Sequence, residues 1–297
     1  MSLLFSIVVP TYNRADLIVK TIQSLLAQSA PDFEIIVVDD GSTDNTEEIV
    51  RPFEGERFRY VKKNNAERAA ARNFGAALAK GKYVNFFDSD DLALPNHLQA
   101  AAAVLRKHPD AEWFHLGYAW ADPDGQVFRE VNSFSGETLN PLICAGNPLS
   151  CNGVFIRTDI IRANPFNEDR ALSASEDYEL WCRLTARYPL YYTNDITSLV
   201  IDHDARSVRT IHGEKLIRRL QLLIHYLAQD TTTLNYFGKD FNRIKMDANS
   251  YIALHLANDA SYKLKSINYL FKAFTDSGRL LSTKRFYATV KNILIKW

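Results

Sequence analysis

The sequence predicts an α/β protein, a mostly parallel sheet between helices followed by a helical C-terminal extension. Three observations carry this reading. Short, continuously apolar, β-branched runs alternate with helical patterns through the first hundred residues. Strands buried on both faces read that way, and their alternation with helices makes them parallel. Polar loops follow three of those runs, where open α/β sheets bind ligands, at the carboxyl ends of strands. From about residue 213 the pattern is helical alone, with Leu216, Leu220, Leu223 and Leu227 on one face.

The elements follow in order. Residues 5–9 read as a strand. Residues 15–28 read as a helix, because Leu17, Ile18, Thr21, Ile22, Leu25 and Leu26 recur at helical spacing. Residues 33–38 are a second strand, and 43–51 a short helix with Ser42 or Thr43 as N-cap. A strand at 57–61, an Ala-rich helix at 66–79 and a strand at 83–87 complete the pattern. A helix over 95–107 has Pro95 in its first turn, where the missing N–H costs nothing. After residue 110, strand-like runs at 113–120, 153–156 and 191–201 mix with Pro/Asn/Gly loops, an α+β pattern.

The chain has 297 residues, 46% hydrophobic and 24% charged. That composition excludes a disordered chain, a collagen-like repeat and a coiled coil. Lys+Arg and Asp+Glu are 35 each, so a dedicated nucleic-acid binder is not expected. The balance is uneven along the chain: residues 211–297 hold 14 Lys/Arg against 6 Asp/Glu, and residues 1–210 hold 21 against 29. Three cysteines, Cys144, Cys151 and Cys182, fit neither a zinc pattern nor a disulfide framework and point to a reducing compartment. The apolar run at 3–9 is too short for a secretory signal and stops at Pro10, and no window approaches a membrane span. The expectation is a cytoplasmic protein, soluble or surface-bound.

Three clusters carry chemistry. Asp88-Ser89-Asp90-Asp91 follows the strand at 83–87; carboxylates this close repel unless a cation sits among them, and Mg²⁺ takes one or two carboxylates together with substrate phosphates. Asp39-Asp40-Gly41-Ser42 ends the second strand, where a carboxylate accepts from a ribose hydroxyl or a base N–H. Neither a GxGxxG nor a Walker A sequence follows any strand. Ser175-Glu176-Asp177 opens a helical stretch, as acids favoured by the helix dipole or as a general base. His203, flanked by Asp202 and Asp204, is either structural or a metal or phosphate contact. Arg68 and Arg72 are solvated or paired on their helix, or hold an anionic nucleotide.

Taken together, Val8-Val9-Pro10-Thr11-Tyr12-Asn13, Val37-Val38-Asp39-Asp40-Gly41-Ser42, Ala71-Arg72-Asn73, Phe87-Asp88-Ser89-Asp90-Asp91 with Pro95, and Ser175-Glu176-Asp177 before Trp181 resemble, in order and spacing, the inverting family-two glycosyltransferases of the GT-A fold. The resemblance covers residues 4 to about 205. It implies a catalytic domain over 1–210, with a nucleotide-binding half at 1–108 and an acceptor half at 109–210, and leaves 211–297 as an extension. It implies that Thr11 and Tyr12, between Pro10 and Asn13, cradle uracil, with the Tyr12 ring stacked on the base. Asp40 would accept from the uracil N–H, and Arg68 or Arg72 would contact the nucleotide. Asp88 and Ser89 would touch the ribose or donor sugar. Asp90 and His203 would serve the Mn²⁺ or Mg²⁺ that bridges the phosphates. Asp177 would be the catalytic base, with Glu176 binding acceptor hydroxyls or orienting a neighbour.

The implied reaction moves a sugar from a UDP-sugar to a hydroxyl of a glycan or lipid-linked acceptor by metal-dependent direct displacement. The alternative is a catalytically inactive sugar-nucleotide-binding or scaffold protein of a membrane-associated glycan assembly, but such a relative would be expected to lose Asp90 or Asp177. A nucleotidyltransferase would want a Gly-rich phosphate loop where Thr11-Tyr12-Asn13-Arg14 stands. The C-terminal stretch 263–297 holds eight Lys/Arg and one acid, Asp276, interleaved with Tyr269, Phe271, Phe274, Phe286 and Tyr287. Such a stretch either lies on an anionic membrane surface or packs its apolar face on the rest of the chain.

Overall fold

The structure, a computed structural model, describes residues 3–30, 32–204 and 213–295. Its strands are β1 (Phe5–Thr11), β2 (Phe33–Asp39), β3 (Phe58–Lys62), β4 (Tyr83–Phe86), β5 (Leu92–Ala93), β6 (Trp113–Ala121), β7 (Val127–Val131), β8 (Val154–Arg157) and β9 (Leu190–Ile201). Its helices are α1 (Ala15–Leu26), α2 (Thr46–Val50), α3 (Glu67–Leu78), α4 (His97–Lys107), α5 (Asn140–Ile143), α6 (Thr158–Ala163), α7 (Glu176–Thr185), α8 (Gly213–Gln229), α9 (Thr231–Phe237), α10 (Phe241–Leu256), α11 (Lys263–Asp276) and α12 (Lys284–Ile295). No helix among the described residues is long and apolar enough to cross a membrane.

The chain divides into two compact units. The first takes residues up to 140, 149–170 and 188–204 and holds the whole sheet. The second takes 141–148, 171–187 and the chain from 205 onward. The expected boundary at 210 lies outside the described residues. Two earlier segments also group with the C-terminal helices, and one of them is α7, which carries Asp177.

In the first unit the strand order is β3-β2-β1-β4-β8-β6-β9-β5, with β7 paired to β6. β1 to β4 are parallel where they pair, as the apolar runs predict. All seven residues of β1 and of β2 are buried, so both faces are covered. Register decides where the loops emerge. Thr11 pairs with Asp39 and Val8 with Phe86, so the polar loops after β1, β2 and β4 leave the sheet at one edge. α3 lies against β1 because Gly75 has no side chain; a Cβ there would come within 2.3 Å of Val8. The second half of the sheet is mixed: β8 runs antiparallel to β4 and β6, and β6 runs parallel to β9. β5 pairs antiparallel with β9, which carries the chain from Ile201 back toward the loop after β4.

Two helix starts differ from the sequence reading. The helix expected over 43–51 begins at Thr46, because Ser42 is used elsewhere; its hydroxyl accepts from the Asn13 amide at 2.9 Å. Asp44 takes the Thr46 amide instead, at 3.0 Å. The helix expected from Pro95 begins at His97, with Pro95 and Asn96 in the turn before it.

In the second unit α8 buries Leu216, Leu220, Leu223 and Leu227, the face its periodicity predicts. α8 and α9 pack beside α7, and α10 packs with α11 and α12.

The first unit holds two fully buried histidines, and burial pushes each down to about 3. The His97 ring lies 3.0 Å from the Thr197 hydroxyl, and His115 Nε2 accepts from the Ser150 amide at 3.3 Å. In the unfolded chain both titrate near 6.5. Between about pH 6.5 and 3 the unfolded state therefore binds protons that the folded state does not, and stability falls with acid. The limiting slope is about 1.4 kcal/mol per pH unit for each histidine. Denaturant unfolding should show stability nearly flat above pH 7 and declining below 6.5, with a shallower decline in His115→Asn. An identical slope in the variant would contradict this account.

Candidate active site

The loop after β1 is held by Asn13. It adopts a left-handed backbone, φ 51°, and its side-chain oxygen accepts from the Thr43 amide at 2.8 Å. With the Asn13 amide bonded to Ser42, the loops after β1 and β2 are clipped together. Asn13 thus shapes the loop beside Tyr12. Tyr12 is 47% exposed, as a residue available for stacking would be. Pro10 and Thr11 are buried in β1, and the Thr11 hydroxyl has no hydrogen-bond partner.

Asp39 and Asp40 have separate jobs. Asp39 is fully buried and accepts from the Tyr60 hydroxyl at 2.5 Å and the Ser42 amide at 2.7 Å, which fixes the turn. Burial first, and then this bond, push the Tyr60 hydroxyl far above its ordinary range. Asp40 accepts from Lys63 Nζ at 2.7 Å and from the Ala66 and Glu67 amides at 3.0 and 2.8 Å. It caps α3, so a base N–H reaching Asp40 would share its carboxylate with Lys63 or take the place of Lys63.

In the loop after β4 the three aspartates diverge. Asp88 pairs with Arg72 at 2.9 Å, and Arg72 is 2% exposed with Phe166 against its guanidinium. Arg68 is half-buried one turn earlier on α3. Ser89 is buried behind Asp88, whose amide donates to Asn152 Oδ1 at 2.9 Å. Asp91 turns inward, fully buried, and accepts from Asn152 Nδ2 at 2.7 Å and the Ile201 amide at 2.8 Å. Asp91 therefore ties the loop to β9. Asp90 turns toward the sheet edge. Its Oδ2 lies 3.1 Å from His203 Nε2 and 3.9 Å from Arg14. The Asp90 carboxylate is the ligand type that Mn²⁺ or Mg²⁺ takes, and the His203 nitrogen beside it would be a ligand for Mn²⁺ more than for Mg²⁺, which prefers oxygen. Among the described residues no group of three or more His, Cys, Asp or Glu side chains stands ready to hold a metal ion.

In the second unit, Glu176 and Asp177 open α7. Glu176 is 2% exposed; Asp177 is partly exposed, and its Oδ2 accepts from Asn147 Nδ2 at 3.1 Å. Arg219 of α8 is buried at 4% exposure, with no hydrogen-bond partner for Nε or Nη1. Burial holds it below the usual guanidinium range, while Tyr251, and then Asp177 and Glu176, work against that.

Among the described residues only Asn13, Glu67 and Ala174 are non-glycine residues with positive φ. They stand beside Tyr12, beside Arg68 and just before Ser175-Glu176-Asp177. Backbone strain of this kind gathers at functional sites, costing on the order of 1–3 kcal/mol each. Periodicity gave no sign of Asn152, Lys63, Arg14 or Arg219, because a lone polar residue carries no local pattern. Asn152 becomes visible only once β8 pairs with β4.

Residues 6–125 match the protein family described as glycosyl transferase family 2. The chain carries a glycosyl transferase family 2 domain. That domain holds Pro10 to Asn13, Asp40, Arg68 and Asp88 to Asp90; Glu176, Asp177 and His203 lie beyond the matched stretch. An uncharacterized glycosyltransferase of Rickettsia felis is 29% identical over 274 residues, 88% of this chain and 44% of that protein. The chain thus spans less than half the length of that curated relative. TarS residues 1–349 of S. aureus, solved with UDP-GlcNAc, superimposes with a TM-score of 0.73 at 20% identity, covering 98% of this chain and 88% of that one. The mannosyltransferase PcManGT of Pyrobaculum calidifontis, in complex with GDP-Man and Mn²⁺, reaches 0.61 at 17% identity, covering 98% and 84%. At these identities the likeness establishes the GT-A fold of the family 2 domain.

Proposed function

We propose that the chain is an inverting, metal-dependent glycosyltransferase that takes a UDP-sugar and glycosylates a hydroxyl of a glycan or lipid-linked acceptor. The carrying observation is the convergence of Asp90 and His203, 113 residues apart in sequence, within 3.1 Å, beside the loops of the family 2 domain. Asp90 and His203 would hold Mn²⁺ or Mg²⁺, which when bound neutralises charge on the departing diphosphate. Tyr12 stacks on the base, and Asp40 exchanges Lys63 for the base N–H. Arg72 orients Asp88 toward the ribose or donor sugar. Asp177 takes the acceptor hydroxyl proton as the new C–O bond forms and the bond to the diphosphate oxygen breaks. One displacement inverts the anomeric carbon. Support for a nucleotide-sugar donor comes from the UDP-GlcNAc and GDP-Man held by the two structural neighbours.

The test is a panel of UDP-, GDP- and dTDP-sugars with Mn²⁺, read by thermal shift and by slow donor hydrolysis. UDP-sugars should raise the melting temperature most, by mass action. Equal affinity for UDP and GDP would overturn the uridine assignment, and no response to any nucleotide sugar would overturn the transferase reading.

The same reading places the chain in the cytoplasm, peripheral on the inner membrane face. α11 turns Ser266, Tyr269 and Ala273 inward and leaves Leu264, Ile267, Phe271 and Phe274 exposed at three- and four-residue spacing. An apolar stripe among lysines suits an anionic lipid surface. Replacing Leu264 and Phe271 by Ser should weaken sedimentation with anionic vesicles more than it weakens soluble-donor hydrolysis. If the intact chain ignores such vesicles at low salt, the stripe has another use.

A further inference from the structure

Within the second unit lies a cavity of about 320 Å³, lined by residues of α10, of the turn before α12 and of the first turn of α12. Three arginines face it, Arg243, Arg279 and Arg285, against one carboxylate, Asp247. The hydroxyl residues Ser250, Ser282 and Thr283 complete the polar wall.

The arginines are not equally engaged. Arg285 is held by Asp247, with its Nη1 2.7 Å from Oδ1 and 3.0 Å from the Ser250 hydroxyl, and its plane lies over Tyr251. That pair engages the one carboxylate through Oδ1. Burial nonetheless pushes the Asp247 carboxyl above its ordinary value, against the pull of Arg285. Arg243 reaches only Asp240, at 3.5 Å and outside the cavity lining. Arg279 is exposed, and its guanidinium makes no hydrogen bond or ion pair among the described residues. A structural ion pair needs one cation for one anion. Here the Arg279 guanidinium has no anion among the described residues, and Arg243 meets its own only at 3.5 Å and outside the cavity lining, so the cavity carries an excess of positive charge; guanidinium forks match phosphate oxygens in pairs.

We propose that this cavity binds a phosphate group, free or as the headgroup of a phospholipid, with Arg279 and Arg243 as its principal donors and Arg285 fixed in place by Asp247. The site stands in the helical unit, outside the family 2 domain, and the proposal does not rest on the transferase reading.

The experiment compares wild type, Arg279→Gln and Ser282→Asp. Arg279→Gln removes a group that pairs with nothing in the fold, so folding should be unaffected. Ser282→Asp places a carboxylate among the guanidiniums and tests the same site independently. Inorganic phosphate is titrated against chloride at matched ionic strength, read by calorimetry and thermal shift, and phosphatidylglycerol vesicles are compared with phosphatidylcholine vesicles by sedimentation. Wild type should bind phosphate, and each variant should bind it at least about tenfold more weakly, as loss of a charged hydrogen bond implies. If only phosphatidylglycerol vesicles bind, with the same loss in both variants, the source is a lipid headgroup. Because neither variant touches Asp90, His203 or Asp177, phosphate bound at the candidate active site would be unchanged by them. Phosphate and vesicle binding that are absent, or equal in all three proteins, would overturn the proposal.

Discussion

Asp177→Asn is expected to lower sugar transfer by about 10²–10⁴-fold, the usual effect of removing a general base. The substitution keeps the size of the side chain and can still meet Asn147, which donates to Asp177 Oδ2 at 3.1 Å. It cannot take a proton at neutral pH. UDP affinity, measured by calorimetry with Mn²⁺, should be nearly unchanged, because the nucleotide residues belong to the family 2 domain and Asp177 does not. Glu176→Gln is the control. Glu176 is buried, so its replacement should act mainly on unfolding temperature and less on turnover. Near-normal transfer by Asp177→Asn beside a dead Glu176→Gln would move the base by one residue. Normal transfer by both would end the proposed mechanism.

The second large effect is expected at Asp90. Asp90→Ala should abolish Mn²⁺-dependent stabilisation by UDP and lower turnover by about 10²-fold or more, since a Lewis acid contributes several kcal/mol to charge stabilisation. EDTA should do the same to the wild type. His203→Asn should give a smaller loss, because Asp90 remains. Asp91→Asn should behave differently. Asp91 accepts from Asn152 and the Ile201 amide inside the sheet, so its replacement should cost stability and leave the metal response of the surviving fold intact. Full turnover of Asp90→Ala in EDTA would remove the cation from the reaction.

Sequence alone set the frame of this protein. Continuous apolar runs at β1, β2 and β4 can be buried only on both faces, so the alternation with α1, α3 and α4 forced a parallel, helix-covered first half. Because ligands sit at the carboxyl ends of such strands, the loops at Thr11, Asp39 and Asp88 were legible as a site before any coordinate. The leucine face of α8 was equally visible in local pattern. Tertiary structure decided what each acid does. Asp88, Asp90 and Asp91 are chemically alike and almost adjacent, and no local rule separates them. Their partners, Arg72, His203 and Asn152, lie 16, 113 and 61 residues away and arrive through helix packing and strand pairing. Asp40 read as a base acceptor, and the tertiary structure adds Lys63 and the first amides of α3 as partners of its carboxylate, because β3 returns the chain beside β2. The grouping of α7 with the C-terminal helices, and the cavity where three arginines meet one aspartate, rest on contacts between distant segments. Periodicity records which face of an element is buried, and it carries no record of which charge that face will meet.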